Sequence, residues 1–197
     1  MLIQSAIDGY NVCIFAYGQT GSGKTFTVTG SPENPGIVPR SFEEMFNIKE
    51  RLEKDNHFTV SFSCYMVELY LDRLIDLLSP SSGAGVDSGK QSINNSSEQL
   101  KIREDPQTGM IYIQNVNQRN LKSAKEASDI FNLGLKSRKV GATGMNDHSS
   151  RSHLIFSVVI EARNNNNGDI QSGKISFVDL AGSERASKSN PGFNYER

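Results

Sequence analysis

Tryptophan is absent from the sequence, cysteine occurs twice and histidine three times, and neither sign of charge is in excess. Each shortage excludes something. Cys13 and Cys64 both sit in strand-like apolar contexts, which reads as two small core residues in a reducing cytosol rather than a disulfide. They have no metal-ligand spacing, and neither do the scattered His57, His148 and His153. A formal net charge of −1 offers no basic excess for nucleic acid. No apolar run approaches the ~18 residues that a membrane-spanning helix needs. The first ten residues lack the basic start of a signal peptide, and Asp8 interrupts their apolar stretch. With 197 residues, 22% charged and 36% hydrophobic, the chain is one globular domain or a large piece of one.

What is present centres on residues 12–25. Val12, Cys13, Ile14, Phe15, Ala16 and Tyr17 form a short apolar run of β-branched and aromatic type, the mark of a buried strand. It leads into Gly18, Gln19, Thr20, Gly21, Ser22, Gly23, Lys24 and Thr25, a full match to G-x-x-x-x-G-K-[ST]. Glycines let the backbone turn tightly, so that successive N–H groups point inward and cradle an anion. A helix expected to start near Lys24 adds its positive end. The Lys24 ammonium suits the β- and γ-phosphates of a nucleotide, and the Thr25 hydroxyl suits Mg²⁺.

Around this stretch the pattern alternates between helix and strand. Residues 2–10 read as the end of a helix capped at Gly9, and 26–29 as a short helix before a loop at 30–39. Ser41 and Glu44 have capping-box spacing ahead of Met45, Phe46 and Leu52. Residues 58–66 alternate with period two, and 68–78 are expected to continue as a short helix or turn. Residues 79–99, rich in Ser, Gly and Asn, read as a surface loop. Residues 100–103 and 110–116 flank a turn at 106–109, as a small hairpin would. A second capping box, Ser123 to Glu126, opens a helix with Ala127, Ile130, Phe131 and Leu135 on one face. Residues 154–160 and 174–178 are strands around an asparagine-rich tip closed by Gly168.

Two further segments belong with the glycine-rich loop. The strand at 175–178 ends on Asp179-Leu180-Ala181-Gly182, and a carboxylate at a buried strand end is where a phosphate-loop NTPase holds Mg²⁺ through water. Gly182 lets a backbone N–H approach the γ-phosphate with no side chain in the way. Residues 146–153 (NDHSSRSH) are polar and hydroxyl-rich, and lie between a helix and a strand. They suit a loop that wraps the γ-phosphate and releases after hydrolysis.

Gly9-Tyr10-Asn11 with FAYGQTGSGKT, then NDHSSRSH, then DLAGSE, in this order and spacing, resemble the motor domain of a kinesin. The resemblance covers residues 1–189. YMVELYLDRLIDLL, SRSHLIFSVVIE and SGKISFVDLAGSER are most similar to the minus-end-directed, C-terminal-motor class, and within it to calmodulin-binding members. It implies an α/β fold of the P-loop NTPase type, with a mixed central sheet flanked by helices. It also implies an ATPase with Mg-ATP as cofactor, microtubules (tubulin) as partner and the cytoplasmic cytoskeleton as location, with calmodulin as a partner of the full-length protein. By the resemblance, Phe26 lies beside the adenine, Thr25 and Ser150 approach Mg²⁺, and Asp179 anchors its water shell. Asn146 and Ser149 face the γ-phosphate and attacking water, Gly182 reports the γ-phosphate, and Arg151 and Glu184 form an ion pair that closes the site. The hairpin near residues 100–116, with Lys101 and Arg103, falls on the filament side.

Family motors begin before Met1 and continue past Glu184, and residues 190–197 depart from the pattern, so the chain reads as an incomplete motor domain. The family's sheet order then leaves residues 12–17 as a bare edge. A signalling GTPase shares the first and last motifs but reads guanine through N-K-x-D, and no Asn-Lys dipeptide occurs here. The remaining alternative is a truncated, non-motile fragment that binds nucleotide weakly or not at all.

Overall fold

The computed structural model describes residues 2–80, 99–106, 109–141 and 150–184. Helix α1 (Leu2–Ile7) stops where Gly9 turns left-handed at φ 90°. The Gly9 N–H then bonds to Ala6 O and the Tyr10 N–H to Ser5 O, the paired closure of a Schellman motif. The chain enters β1 (Asn11–Ala16), the glycine-rich loop, and the short α2 (Lys24–Thr29).

Helix α3 (Ile37–Glu53) starts five residues earlier than a cap at Ser41 implied. Ser41 is not a cap. Its hydroxyl donates to the Ile37 carbonyl at 2.7 Å from inside the helix, while Gly36 is the N-cap. Pro39 lies in the first turn, where its missing N–H has no helical acceptor to lose.

Strand β2 (Phe58–Tyr70) runs past the alternating segment, and β3 (Arg73–Asp76) returns beside it. The helix or turn expected at 68–78 is therefore a tight hairpin. Leu71 and Asp72 take φ 45° and 62°, the two left-handed positions of a two-residue turn that matches strand twist. Leucine-rich composition favours a helix here, but β2 is paired with a neighbouring strand from Phe58 to Leu69, and that pairing prevails.

The small hairpin is formed by β4 (Lys101–Glu104) and β5 (Ile111–Gln114) as expected, while β6 (Arg119–Leu121) was not anticipated. Helix α4 (Ala124–Gly141) carries its cap: Ser123 Oγ accepts the Glu126 N–H at 3.1 Å, and Glu126 reaches back to the Lys122 N–H. Strands β7 (His153–Asn164) and β8 (Ile170–Asp179) form the long hairpin around the asparagine-rich tip.

The main sheet has the order β1-β8-β7-β2-β3, with β6 sharing the outer edge of β2. Among the described residues only the β1–β8 pairing of this sheet is parallel. Phe42 of α3, Phe131 of α4 and Phe156 of β7 meet one another edge to face, with ring centroids 5.1–6.2 Å apart. All three are buried. Among the described residues β1 forms an edge of the sheet, as expected for residues 12–17: Phe15 is 61% exposed, and Tyr17 just beyond it 77%. This corrects the reading of Cys13, which lies exposed on that edge, whereas Cys64 is buried in β2. Residues 81–98, most of the expected 79–99 loop, lie outside the described residues, as do 107–108 of the small turn and 190–197.

Candidate functional site

Parallel pairing places the carboxyl ends of β1 and β8 side by side, with Ala16 opposite Asp179. At such a strand-end crevice an open α/β sheet receives its ligands. The loop leaving β1 needs backbone angles that only glycine adopts readily: Gly21 and Gly23 have φ 81° and 90°. Gly23 caps α2 without a side-chain hydrogen bond. The Lys24 ammonium folds onto Gln19 O at 2.9 Å, and the Thr25 hydroxyl donates to Asp179 Oδ2 at 2.7 Å.

The other two segments close around this loop. The Gly182 N–H donates to Ser150 O at 2.8 Å, and the Ala181 N–H to His153 Nδ1 at 3.1 Å. The Ser183 N–H bonds to Gly18 O, so residues 180–184 are stitched to both neighbours. A Cβ at position 182 would press on the Glu184 carboxylate and Thr20 Oγ1, so a side chain there would displace the contact those two groups make. Asn146 and Ser149 lie outside the described residues.

One expected contact is not made. Glu184 does not pair with Arg151. Its carboxylate accepts the Thr20 hydroxyl and the Thr20 N–H instead, the latter at 2.9 Å. The Thr20 hydroxyl, then the N–H, hold the Glu184 carboxyl below its ordinary value. Two donors on one residue of the facing loop satisfy both carboxylate oxygens, while Arg151 stays exposed. Phe26 is 55% exposed on α2, with an open face for a flat ring.

Asp179 is 3% exposed, and its Oδ1 has no hydrogen-bond partner. An orphaned carboxylate oxygen beside the Thr25 hydroxyl is a hard-oxygen donor set of the kind Mg²⁺ prefers. Among the described residues no group of three or more His, Cys, Asp or Glu could hold a metal alone. Mg²⁺ here would thus depend on water and phosphate oxygens, as it commonly does.

The sequence pattern missed three residues under the site. Arg138, Glu68 and Ser152 are 8%, 3% and 0% exposed and bond to one another. The available signal was Glu68, a lone carboxylate in the apolar run 65–69. A buried charge of that kind requires a partner.

Residues 1–195 match the kinesin motor domain family. The chain belongs to that family. It is 49% identical over 188 residues to the kinesin-like protein KIN-14E of Arabidopsis thaliana, and 47% identical over 189 residues to KIN-14I of Oryza sativa subsp. japonica. In each case the match covers 95% of this chain and 14% of the relative. The motor domain of the kinesin-like protein KAR3 of Saccharomyces cerevisiae superposes with a TM-score of 0.75 at 38% identity, over 96% of this chain and 52% of that one. A structure described as a fast kinesin gives 0.80 at 31% identity, over 98% of this chain and 51% of that one. This kinesin chain therefore has the P-loop NTPase fold with a mixed sheet, and spans about half of those solved motors. KIN-14 and KAR3 relatives agree with the C-terminal-motor class expected from its sequence.

Proposed function

We propose that this kinesin chain supplies the nucleotide-binding and hydrolysing core of a microtubule motor. The carrying observation is the Gly182–Ser150 hydrogen bond, which joins the loop after β8 to the segment before β7, directly over the glycine-rich loop. That geometry lets one γ-phosphate be sensed from both sides at once. The amides of residues 18–25 surround the phosphates, with the Lys24 ammonium released from Gln19 O to meet them. Phe26 lies along the adenine. Mg²⁺, when bound, neutralises phosphate charge. Thr25 and Ser150 would offer it hydroxyls, and Asp179 would hold its water shell. Asn146 and Ser149 position the attacking water, and Arg151 with Glu184 closes over it.

The partner we assign is the microtubule, met in part through β4–β5, where Lys101 and Arg103 are exposed. Tubulin's acidic face would attract them in a salt-sensitive way. The location follows as the cytoplasmic microtubule cytoskeleton. Among the described residues no helix is long and apolar enough to cross a membrane. Calmodulin is proposed as a partner of the full-length protein, on the likeness of residues 65–78, 150–161 and 172–185 to that subclass.

The deciding experiment is Mg-ATP titration and phosphate release by the full-length protein, with and without microtubules, for the parent and Lys24→Ala. Removing a charge-assisted contact weakens binding by roughly 1.5–3 kcal/mol, about tenfold to a hundredfold. Equal affinity in the two proteins would overturn the phosphate-loop assignment.

A further inference from the structure

We infer that Arg138 is a positioning residue for hydrolysis, holding Asp179 and Ser152 in register so that the two loops converge on the nucleotide. The inference rests on the proposed function and adds to it a residue outside the three site motifs. Arg138 lies in the last turn of α4 and is 8% exposed. Its Nε donates to Glu68 Oε1 at 3.1 Å. Nη2 donates to Ser152 Oγ at 3.1 Å and reaches Ser152 O at 3.4 Å, and Nη1 lies 3.6 Å from Asp179 Oδ2. The Ser152 hydroxyl in turn donates to Glu68 Oε1 at 2.6 Å.

The sheet explains why one side chain can do this. Glu68 pairs with Leu154, and Leu154 with Asp179, so all three occupy one rung of β2, β7 and β8. Directly opposed residues face the same side of a sheet, with the backbones of Glu68 and Asp179 two strand spacings apart, roughly 9–10 Å. A guanidinium arriving from α4 bridges that span because its donors fan out in one plane in three directions. An ammonium is a point charge and cannot reproduce the fork.

Charge balance alone does not account for the arrangement. Among the described residues one guanidinium faces two carboxylates, and Asp179 Oδ1 is buried without a hydrogen-bond partner. A bridge built only to stabilise the core would satisfy that oxygen. Instead Oδ2 is fixed from two directions, by Arg138 and by the Thr25 hydroxyl, which sets the carboxylate plane and leaves Oδ1 for a ligand. The other contact, Ser152, lies two residues after Ser150, and Asp179 three before Gly182. Arg138 therefore grips the root of each loop whose tips meet in the Gly182–Ser150 bond. Loosening both roots would degrade alignment of the reacting groups more than binding, because phosphate contacts come from a different loop.

The test uses the full-length protein. Arg138→Ala would strand Glu68 as a buried, uncompensated charge and risks unfolding. The double variant Arg138→Met with Glu68→Gln avoids this, since it removes one positive and one negative charge together and nearly fills the space. With a melting temperature near the parent's, it should lose at least tenfold in kcat while its Mg-ATP Kd stays within threefold. It should also require more Mg²⁺ for half-maximal rate. Arg138→Lys, which retains the charge but not the fork, should lose at least fivefold in kcat. A folded double variant within twofold of parental kcat would reduce Arg138 to charge balance and overturn the inference, as would full activity in Arg138→Lys. Equal losses in kcat and affinity would overturn it in favour of a binding role. A parent that binds and hydrolyses no ATP would instead defeat the proposed function itself.

Discussion

Arg151 and Glu184 pose the sharpest question at the scale of single residues. Glu184 is held by two donors of Thr20, so forming the expected closing pair means exchanging those bonds for one guanidinium. Such an exchange is a two-state event that the triphosphate can bias. Changing either residue to Ala should therefore lower turnover at least tenfold and leave ATP affinity within about threefold. The double variant should be little worse than either single one, because residues acting as a unit are not additive. Single-turnover kinetics on the three variants checks this, and losses that multiply would separate the two residues. The partnership of Glu184 with Thr20 could not be read from the chain, since 164 residues separate them. The motif Gly18–Thr25 could be read in full, because its chemistry is local.

Helix ends show the same division at the scale of elements. Two Ser-x-x-Glu segments look alike in the sequence, yet only Ser123 caps a helix, while Ser41 bonds back to Ile37. Ser123→Ala should cost about 1 kcal/mol in urea unfolding. Ser41→Ala should change stability by less than about 0.5 kcal/mol, since alanine favours the helix interior and the lost bond was an extra one on a helical carbonyl. The distinguishing feature is what precedes each serine: Gly36 and Pro39 start α3 early, and nothing comparable precedes Ser123. The small hairpin carries a functional prediction. Lys101→Glu with Arg103→Glu should reduce microtubule pelleting at low salt, and the difference should fade as salt screens it. Unchanged pelleting would remove β4 from the filament face.

For the whole molecule the open question is the edge. Strand β1 has β8 on one side, while Phe15 and Tyr17 are exposed beside it. Residues 1–197 expressed alone should self-associate through that edge, because unpaired strand groups and apolar side chains template further pairing. Phe15→Lys should shift light scattering toward monomer, and an unchanged size distribution would place the association elsewhere. Strand periods, the hairpin tip at 165–168 and the turn of the glycine-rich loop were determined by the sequence. Each depends on neighbours within a few residues, where φ/ψ preference and alternation of polarity act directly. Tertiary structure alone decided that 68–78 is a hairpin, that Cys13 faces outward, and that Arg138 joins Glu68, Ser152 and Asp179. Those outcomes depend on which strand lies beside which, and on a helix arriving over one rung of the sheet. Pairings across 70 residues leave no periodic trace in the chain, because a buried charge is tolerated only by a partner that the fold delivers.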